Sequence, residues 1–544
     1  KKSALTISRK TALPTTAFIK AGTAFPEFWM AIWNRLFWPC ARRITRDWIA
    51  EQSTTLLQMK TNNKINILLG SIILLGLILR FTAVLKYGDF WDDEMFNFIY
   101  SQKAWPQGLI YWLWETNPPL HMLILKIWFV LFPATEFFAR LPGVIAGCLS
   151  IFFIFKLGKE IFNEKIGLLA AFYLAIHPYN IFWSASARIY SFLMLFTILS
   201  TLILYKQFFR EDASKRLKIS GAIINGLLVF SHLSAIFVLA GQFFTLALFK
   251  GKKAVSNWIK CNLIPFIMGA GWIIMSLYIK KDNNVDKSWF LNLAQSFQDS
   301  INPLLNIFAG QFWTLPGLML LILAAAIILY NIYKTRSIGL LFLAALITVP
   351  LVLSAGLGVW HIKFFVTILP LFVLTIAYSL STIVRDIFSV LLIASICLLG
   401  LYNLQNTLPL TSWRQTESLF KNYETNDKFV FVYNNYILKT QVERYLNKDI
   451  FRNSKTIILY KNMSWDDMVV KKNYIPLQLS DEEKNAWYNE NLMDSYSTVA
   501  LLQNEFPSMT KLDDLFIQHG WILKQQPVRA PIAGTYKLYI YIKI

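Results

Sequence analysis

The composition of the chain is that of a membrane protein. Of its 544 residues 55% are hydrophobic, and the mean hydropathy is +0.44; soluble domains rarely carry so much apolar side chain. The formal net charge of +21 would suggest nucleic-acid binding in a soluble protein, but no nucleic-acid motif accompanies it. We interpret the charge as basic residues in short loops that orient membrane helices. The four cysteines show neither a metal-binding nor a disulfide spacing.

The first 58 residues differ from the rest. They are basic, and their aromatic run, 23–41, is interrupted by Glu27 and Arg35, so it would span a membrane poorly and could form an interfacial helix. Met59, followed by a polar stretch and an apolar run, resembles the start of a membrane protein. We expect 1–58 to be an extension without a catalytic role, and its presence in the native protein is open.

Apolar runs near the length that crosses a bilayer, about 20 residues, follow along the chain. They predict eleven spanning helices, at 67–85, 138–155, 166–183, 189–205, 219–231, 233–249, 259–279, 315–333, 338–358, 364–381 and 387–404. The stretch 219–249 is divided at Ser231-His232, because a single helix over it would need strong tilt. The run 118–132 opens with two prolines and contains Lys126, so we predict a helix along the membrane surface.

The basic residues predict the orientation. With the N-terminus inside, the inner loops carry 15 Lys and Arg in 43 residues, and the outer loops carry 8 in 98. This bias is the positive-inside pattern. It places the first loop, residues 86–137, outside, and the transmembrane domain is then 59–404 in the plasma (inner) membrane.

The tail 405–544 is predicted to be a small external α/β domain. Strand-like alternation or clustering occurs at 428–433, 456–460 and 536–542, and helices are predicted at 436–447 and 481–494. Ser480, with Glu483 three residues later, has the pattern of a capping box.

Three consecutive carboxylates, Asp92, Asp93 and Glu94, lie in the first outer loop. One interpretation is a solvated acidic turn, or a helix start where acids suit the N-terminal dipole. The functional interpretation is a general base that takes a proton from an attacking hydroxyl.

Several cations are predicted on the same membrane face. Arg188 could extend to lipid headgroups or bind a lipid phosphate through its fork of donors. His232, His361 and Lys363 could likewise be packing or interfacial residues. The topology was derived from other loops, and it brings these cations to the face of the carboxylates. A base beside cations for a leaving phosphate describes a group-transfer site.

The ordered set of motifs resembles the C-type (GT-C) glycosyltransferases. The similarity is greatest to bacterial members of glycosyltransferase family 39, the superfamily of protein O-mannosyltransferases and aminoarabinose transferases. It covers about 65–250 well and 360–381 loosely. The segments that carry it are Trp91-Asp92-Asp93-Glu94, Asn117-Pro118-Pro119-Leu120, Arg140-Leu141-Pro142, 155–162 and Ala187-Arg188-Ile189-Tyr190-Ser191.

The resemblance implies a GT-C fold, chemistry outside the cytoplasm and a polyprenyl-phosphate sugar donor. It also implies two surface helices in the first outer loop, in agreement with the interpretation of 118–132. The family's catalytic acid falls on Asp93, with Glu94 beside it and Asp92 as an additional carboxylate. Asn117 and Tyr190 lie within matching motifs and, with His232, are candidates to line the site.

Three positions depart from the family pattern. Thr116-Asn117 stands where aminoarabinose transferases have Glu-Lys, so a donor contact differs. Ser186 stands where relatives often have a carboxylate, which puts a metal site in doubt; a divalent metal is possible, but the sequence identifies no metal ligand. Lys363 takes the place of a family arginine and lies before the tenth span.

The sequence thus predicts a transferase that acts by a single displacement at the anomeric carbon, with inversion. Asp93 would be the base, and Arg188, Lys363 and His361 would stabilise the leaving phosphate. The acceptor would be a lipid, a glycan or a protein, membrane lipids would surround the spans, and no nucleic acid is involved. The alternatives are a polysaccharide polymerase or ligase that uses a diphosphate donor, and a lipid or solute transporter.

Overall fold

The structure is a computed structural model, and it divides the chain into two compact units, 1–68 and 69–544. The predicted extension 1–58 lies outside the described residues, as does most of the loop 280–314. The described residues are 63–114, 117–280, 301–305, 308, 315–358, 360, 362–407, 428–433, 444–445, 455–458, 479–504, 511–529 and 536–543.

Helices make up the described part of the chain as far as residue 407. Besides the helical residues 301–305, fifteen α-helices and one 3-10 helix have described bounds there: α1 (Asn63–Lys86), α2 (Asp92–Gln102), α3 (Gln107–Trp114), α4 (Leu120–Leu131), α5 (Glu136–Ile161), α6 (Glu164–Ile176), α7 (Pro178–Ser184), α8 (Tyr190–Phe208), α9 (Lys215–Val229), α10 (Ala235–Phe249), α11 (Gly251–Lys280), α12 (Leu315–Thr335), α13 (Ile338–Gly356), the 3-10 helix Ile362–Thr367, α14 (Leu369–Ile383) and α15 (Asp386–Thr407).

Each of the eleven predicted apolar runs coincides with helical structure. By length and composition, six described helices could cross a membrane, or seven if the bent pair α6–α7 counts as one span. Helices α4, α10, α14 and most of α15 are shorter and apolar. The count of eleven spans therefore stays a prediction, whereas the mostly helical membrane fold is confirmed.

The predicted division of 219–249 is confirmed. Helix α9 ends at Val229 and α10 begins at Ala235. In the turn between them, the Ser231 hydroxyl donates to Leu227 O at 2.6 Å, and His232 Nδ1 lies 2.9 Å from the Ser234 hydroxyl. These side chains bond to the backbone and to each other, so the chain reverses without leaving these polar groups unpaired.

The predicted span 166–183 is broken. Helices α6 and α7 meet at an angle of 63°, because Pro178 lacks the N–H that a continuous helix needs and disfavours helical geometry in the residue before it. The fully buried Arg80 donates to Ala175 O at 3.1 Å and to Leu174 O at 3.3 Å. Its guanidinium thus satisfies carbonyls that the break leaves without helical partners.

A close approach at Gly147 encloses this arginine. A Cβ at Gly147 would lie 2.3 Å from Ser184 Oγ and 2.7 Å from Arg80 Nε, so only glycine fits there. The close packing holds α7 against α5, and α7 leads directly into the turn that carries Arg188.

The C-terminal region contains a five-stranded sheet in the order β2-β1-β3-β5-β4. Strand β1 is parallel to β2 and β3, and β5 is antiparallel to β3 and β4. The elements are β1 (Phe429–Tyr433), β2 (Lys455–Ile458), α16 (Asp481–Glu490), the 3-10 turn Met493–Ser495, β3 (Thr498–Asn504), α17 (Asp513–Gln518), β4 (Ile522–Arg529) and β5 (Tyr536–Ile542).

The strands predicted at 428–433 and 536–542 are confirmed, and that at 456–460 is present as β2, with 459–460 outside the described residues. The predicted capping box is confirmed: Ser480 N donates to Glu483 Oε2 at 2.8 Å, and Glu483 N donates to Ser480 Oγ at 3.3 Å. Of the predicted helix 436–447 the structure describes only residues 444–445.

Side chains alternate between the two faces of the sheet. One face, with Phe429, Phe431 and Ile540, shares a buried cluster with Phe90 and Phe98 of the first loop. The opposite face packs against α16 and α17. The sheet and the first loop, 86–137, are therefore one packed body, and they must lie on the same side of the membrane.

The predicted topology can be tested by cysteine labelling. In a variant without the native cysteines, Glu482→Cys in α16 should react with a membrane-impermeant maleimide in intact cells, because α16 is predicted outside. Lys253→Cys, at the start of α11 in a predicted inner loop, should react only after the cells are opened. Both native side chains are exposed, so the opposite labelling pattern would invert the topology.

Candidate active site

The carboxylate of Glu94 forms a buried ion pair with Arg140. Arg140 Nε donates to Glu94 Oε1 at 3.0 Å, and Nη2 donates to Oε2 at 2.7 Å. The two side chains are 1% and 2% exposed. Such a two-pronged contact has the geometry that best compensates the removal of both charges from water.

Further hydrogen bonds of this pair connect three parts of the chain. Arg140 Nη1 donates to Gly88 O at 2.8 Å and Nη2 to Asp89 O at 3.0 Å. Ala187 N donates to Glu94 Oε1 at 2.6 Å. The pair therefore fixes the start of α2, one turn of α5 and the α7–α8 turn relative to one another.

Asp93, the preceding residue, faces a different set of partners. Its Oδ2 lies 2.7 Å from Lys363 Nζ and 3.5 Å from Arg188 Nη2. Arg188 Nη1 also donates to the backbone Asp93 O at 2.9 Å. The Asp93 side chain is 24% exposed, whereas Arg188 is 7% exposed. The structure thus brings together three of the predicted site residues, in a carboxylate held by two cations.

Aromatic rings surround the two cations. Lys363 Nζ lies 5.6 Å from the centre of the Trp91 ring, and the Arg188 guanidinium lies 5.8 Å from that of Tyr190. Burial lowers the pKa of the Lys363 ammonium, but the negative charge of Asp93 offsets this effect, and the pKa is raised above its usual value. Lys363 is therefore a cation at neutral pH.

A histidine that the sequence interpretation missed lies beside this cluster. Asn97 Nδ2 lies 3.0 Å from His121 Nδ1 and 3.2 Å from Ala187 O. Because an amide NH2 group can only donate, Nδ1 is the acceptor. Burial, with the nearby charge of Arg188, lowers the pKa of His121 to about 3, so His121 is neutral and adds no charge to the site. Its position two residues after Pro119, at the end of the proline motif, was the available signal.

Two of the predicted lining residues, His232 and Tyr190, are buried next to each other. The His232 ring lies 5.5 Å from that of Tyr190 and 5.6 Å from that of Phe364, measured between centres. Three residues beyond Asn117, Leu120 N donates to Phe230 O at 3.1 Å, which ties this motif to the turn that holds His232. Asn117 itself is half-buried.

Two of the predicted site residues lie outside what the structure describes: His361, and the side chain of Asp92, the first residue of α2. Within the described part of the chain, no group of three His, Cys, Asp or Glu residues could hold a metal ion. The described site therefore consists of one accessible carboxylate, two cations, a neutral histidine and neighbouring aromatic rings.

Comparisons with known proteins agree with this architecture. Residues 116–276 match the family model of dolichyl-phosphate-mannose-protein mannosyltransferases; the matched segment contains Arg140 and Arg188 but not Asp93 or Lys363. No protein of curated function matches the sequence.

The fold is similar to that of solved structures. The crystal structure of ArnT from Cupriavidus metallidurans bound to undecaprenyl phosphate is similar with a TM-score of 0.55 at 9% identity, over 86% of this chain and 97% of that chain. Its apo state is similar with a TM-score of 0.53 at 10% identity and the same coverage. For the Archaeoglobus fulgidus oligosaccharyltransferase in complex with zinc and sulfate, the TM-score is 0.47 at 14% identity, over 80% of this chain and 67% of that chain.

The chain is therefore a membrane protein with the fold of the GT-C glycosyltransferase superfamily, as the sequence resemblance predicted. In sequence, the segment 116–276 is similar to the dolichyl-phosphate-mannose-protein mannosyltransferases.

The buried pair gives a stability prediction. Glu94→Gln should destabilise the protein by about 3 to 5 kcal/mol, because it leaves the Arg140 charge buried without a counter-charge. The measurement is chemical unfolding in detergent. Glu164→Gln is the control, since Glu164 pairs with Lys159 where both are 33–49% exposed, and the loss should be at most about 1 kcal/mol. Equal losses for the two variants would contradict the structural role of Glu94.

Proposed function

We propose that this protein transfers a sugar from a polyprenyl-phosphate donor to a hydroxyl group of a lipid, glycan or protein, on the outer face of the membrane. The observation that carries the proposal is the Asp93 carboxylate held between Lys363 and Arg188. Two comparisons support the donor class: the matched family is named for dolichyl-phosphate-mannose, and the similar ArnT structure is bound to undecaprenyl phosphate.

Charge supports a donor with a single phosphate. Asp93, Arg188 and Lys363 together carry a net charge of +1, and the neighbouring Glu94–Arg140 pair is neutral. The phosphate of a polyprenyl-phosphate sugar is a diester with one negative charge, so its binding neutralises the cluster. A diphosphate donor would bring additional negative charge to a partly buried site, which has an electrostatic cost.

The donor also changes the state of the base. Lys363 and Arg188 are the cations that would bind the phosphate, and they are the ones that hold Asp93. A phosphate bound to them competes with the carboxylate for Lys363. Donor binding thus frees Asp93 Oδ2 to accept a proton, and it makes the base available only when the donor is in place.

The reaction is a single displacement. The acceptor hydroxyl gives its proton to Asp93 as its oxygen forms a bond to the anomeric carbon. The bond between that carbon and the phosphate oxygen breaks, and its electron pair leaves with the polyprenyl phosphate. Arg188 and Lys363 stabilise the charge that develops on this leaving group. One displacement inverts the configuration at the anomeric carbon.

Glu94 has a positioning role in this proposal, not the catalytic role suggested by its place in the motif. Both of its oxygens accept hydrogen bonds from Arg140, and Oε1 accepts a further one from Ala187 N. A carboxylate so engaged and 1% exposed is poorly placed to take a proton from an acceptor. Asp93, at 24% exposure, is the accessible neighbour.

Replacement of Asp93 tests the proposal. Asp93→Asn should lower kcat by roughly a hundred-fold to ten-thousand-fold, the range expected for the loss of a general base. The same variant should bind polyprenyl phosphate more tightly, because no carboxylate competes for Lys363. Transfer of label from purified polyprenyl-phosphate sugars to a membrane extract, and binding of the donor lipid, are the two measurements.

Two further variants complete this test. Lys363→Met should weaken donor binding, opposite in sign to Asp93→Asn, and Asp481→Asn, an exposed surface change, should alter neither quantity. Asp93→Asn with wild-type turnover would exclude Asp93 as the base. Transfer from diphosphate-linked sugars alone would support the polymerase or ligase class instead.

A further inference from the structure

A contact between the C-terminal region and the first loop lies outside the site described so far. Its residues are Arg444 and Tyr445 on one side and Phe90 and Glu136 on the other. Phe90 N donates to the Tyr445 hydroxyl at 2.9 Å, and that hydroxyl donates to Glu136 Oε1 at 2.7 Å. Arg444 Nε donates to the same carboxylate oxygen at 2.8 Å.

Aromatic packing extends this contact. The Arg444 guanidinium lies 4.4 Å from the centre of the Phe98 ring and 5.7 Å from that of Phe90. Tyr445 is 7% exposed and belongs to the buried cluster that joins the sheet to the first loop. The residue is therefore enclosed, and its hydroxyl has both a donor and an acceptor at hydrogen-bond distance.

The contact matters for the site because the backbone N–H that it binds, that of Phe90, lies close to Asp93 in the chain. Phe90 is three residues before Asp93, in the short link between α1 and α2. Gly88 in this link has φ of +56°, a left-handed conformation that favours glycine. On the membrane-helix side the link is held by Arg140, through Gly88 O and Asp89 O. On the other side it is held at Phe90 by Tyr445.

The partial exposure of the Glu136–Arg444 ion pair indicates that this contact contributes more to positioning than to stability. Glu136 and Arg444 are 22% and 30% exposed, so their ion pair alone contributes little to the free energy of unfolding. Burial raises the pKa of the Tyr445 hydroxyl, which keeps its proton for Glu136. The directional bonds to Phe90 and Glu136 are what a Tyr→Phe change would remove.

We infer that Tyr445 is a positioning residue for the transfer reaction: its hydroxyl fixes the backbone at Phe90 and thereby holds Asp93 between Lys363 and Arg188. The inference rests on the proposed function for its kinetic consequence. This role would also give the C-terminal sheet a part in catalysis, since Tyr445 belongs to the same buried cluster as side chains of β1 and β5.

Tyr445→Phe tests this role against a matched control. The control is Tyr488→Phe in α16 on the opposite face of the sheet, where a hydroxyl also has two partners, Asp494 and Trp521. In Tyr445→Phe we expect kcat to fall roughly ten-fold to a hundred-fold, the scale of a small misplacement of a catalytic group, with donor affinity within about two-fold of wild type. Tyr488→Phe should keep wild-type kcat.

Combining Tyr445→Phe with Asp93→Asn tests whether Tyr445 affects kcat through Asp93. If Tyr445 acts through Asp93, adding Tyr445→Phe to Asp93→Asn should cause no further fall in kcat, because the group it positions is already absent. An equal fractional fall in both backgrounds, or wild-type kcat in Tyr445→Phe, would overturn the inference.

Hydrogen–deuterium exchange makes the test independent of turnover. Tyr445→Phe should speed exchange of the amides at 89–95, and Tyr488→Phe should not; unchanged exchange in Tyr445→Phe overturns the inference. If exchange rises but the wild type transfers no sugar, the positioning of this segment stands and the proposed function fails. Glu136→Ala removes the hydrogen-bond acceptor of the Tyr445 hydroxyl but leaves the Tyr445 ring in place, and it should also speed exchange at 89–95. This second variant keeps the test valid if the Tyr445→Phe protein does not fold.

Discussion

The ion pair between Glu94 and Arg140 is the interaction on which the site depends. Two charges that are 1% and 2% exposed lose several kcal/mol of hydration each, and only a complete set of hydrogen bonds compensates that loss. The backbone at Gly88, Asp89 and Ala187 supplies further hydrogen bonds of this set. Because these groups come from separate parts of the chain, the pair permits only one arrangement of α2, α5 and the α7–α8 turn.

That arrangement gives two adjacent carboxylates different surroundings. The Glu94 carboxylate is buried and accepts hydrogen bonds from Arg140 and Ala187 N, whereas Asp93 meets Lys363 and Arg188 at the edge of the buried region. The broken span α6–α7, supported by Arg80, brings the turn with Arg188 to the same place. The proposed base and the two cations proposed to bind the phosphate are thus assembled from parts of the chain up to 270 residues apart.

The sequence could predict what depends on local pattern. Apolar runs indicated the helices, Ser231-His232 the break between α9 and α10, and Ser480 with Glu483 the start of α16. The predicted topology also placed Asp93, Arg188 and Lys363 on one face, and the structure brings these three side chains together. It could not separate the roles of Asp93 and Glu94, since these depend on Arg140 across the fold. His121 and Tyr445 were missed for the same reason. Strand β3 was missed because it is buried on both faces and does not alternate, and β4 because it is a polar edge strand that contains Pro527.

The most direct test is an experimental structure of the protein with a polyprenyl phosphate bound. In the proposed function, Arg188 and Lys363 bind Asp93 before the donor arrives and bind the donor phosphate afterwards. We expect phosphate oxygens within hydrogen-bond distance of Arg188 and Lys363, Asp93 Oδ2 displaced from Lys363, and the Glu94–Arg140 pair unchanged. A phosphate bound away from both cations, with Asp93 still bonded to Lys363, would contradict it.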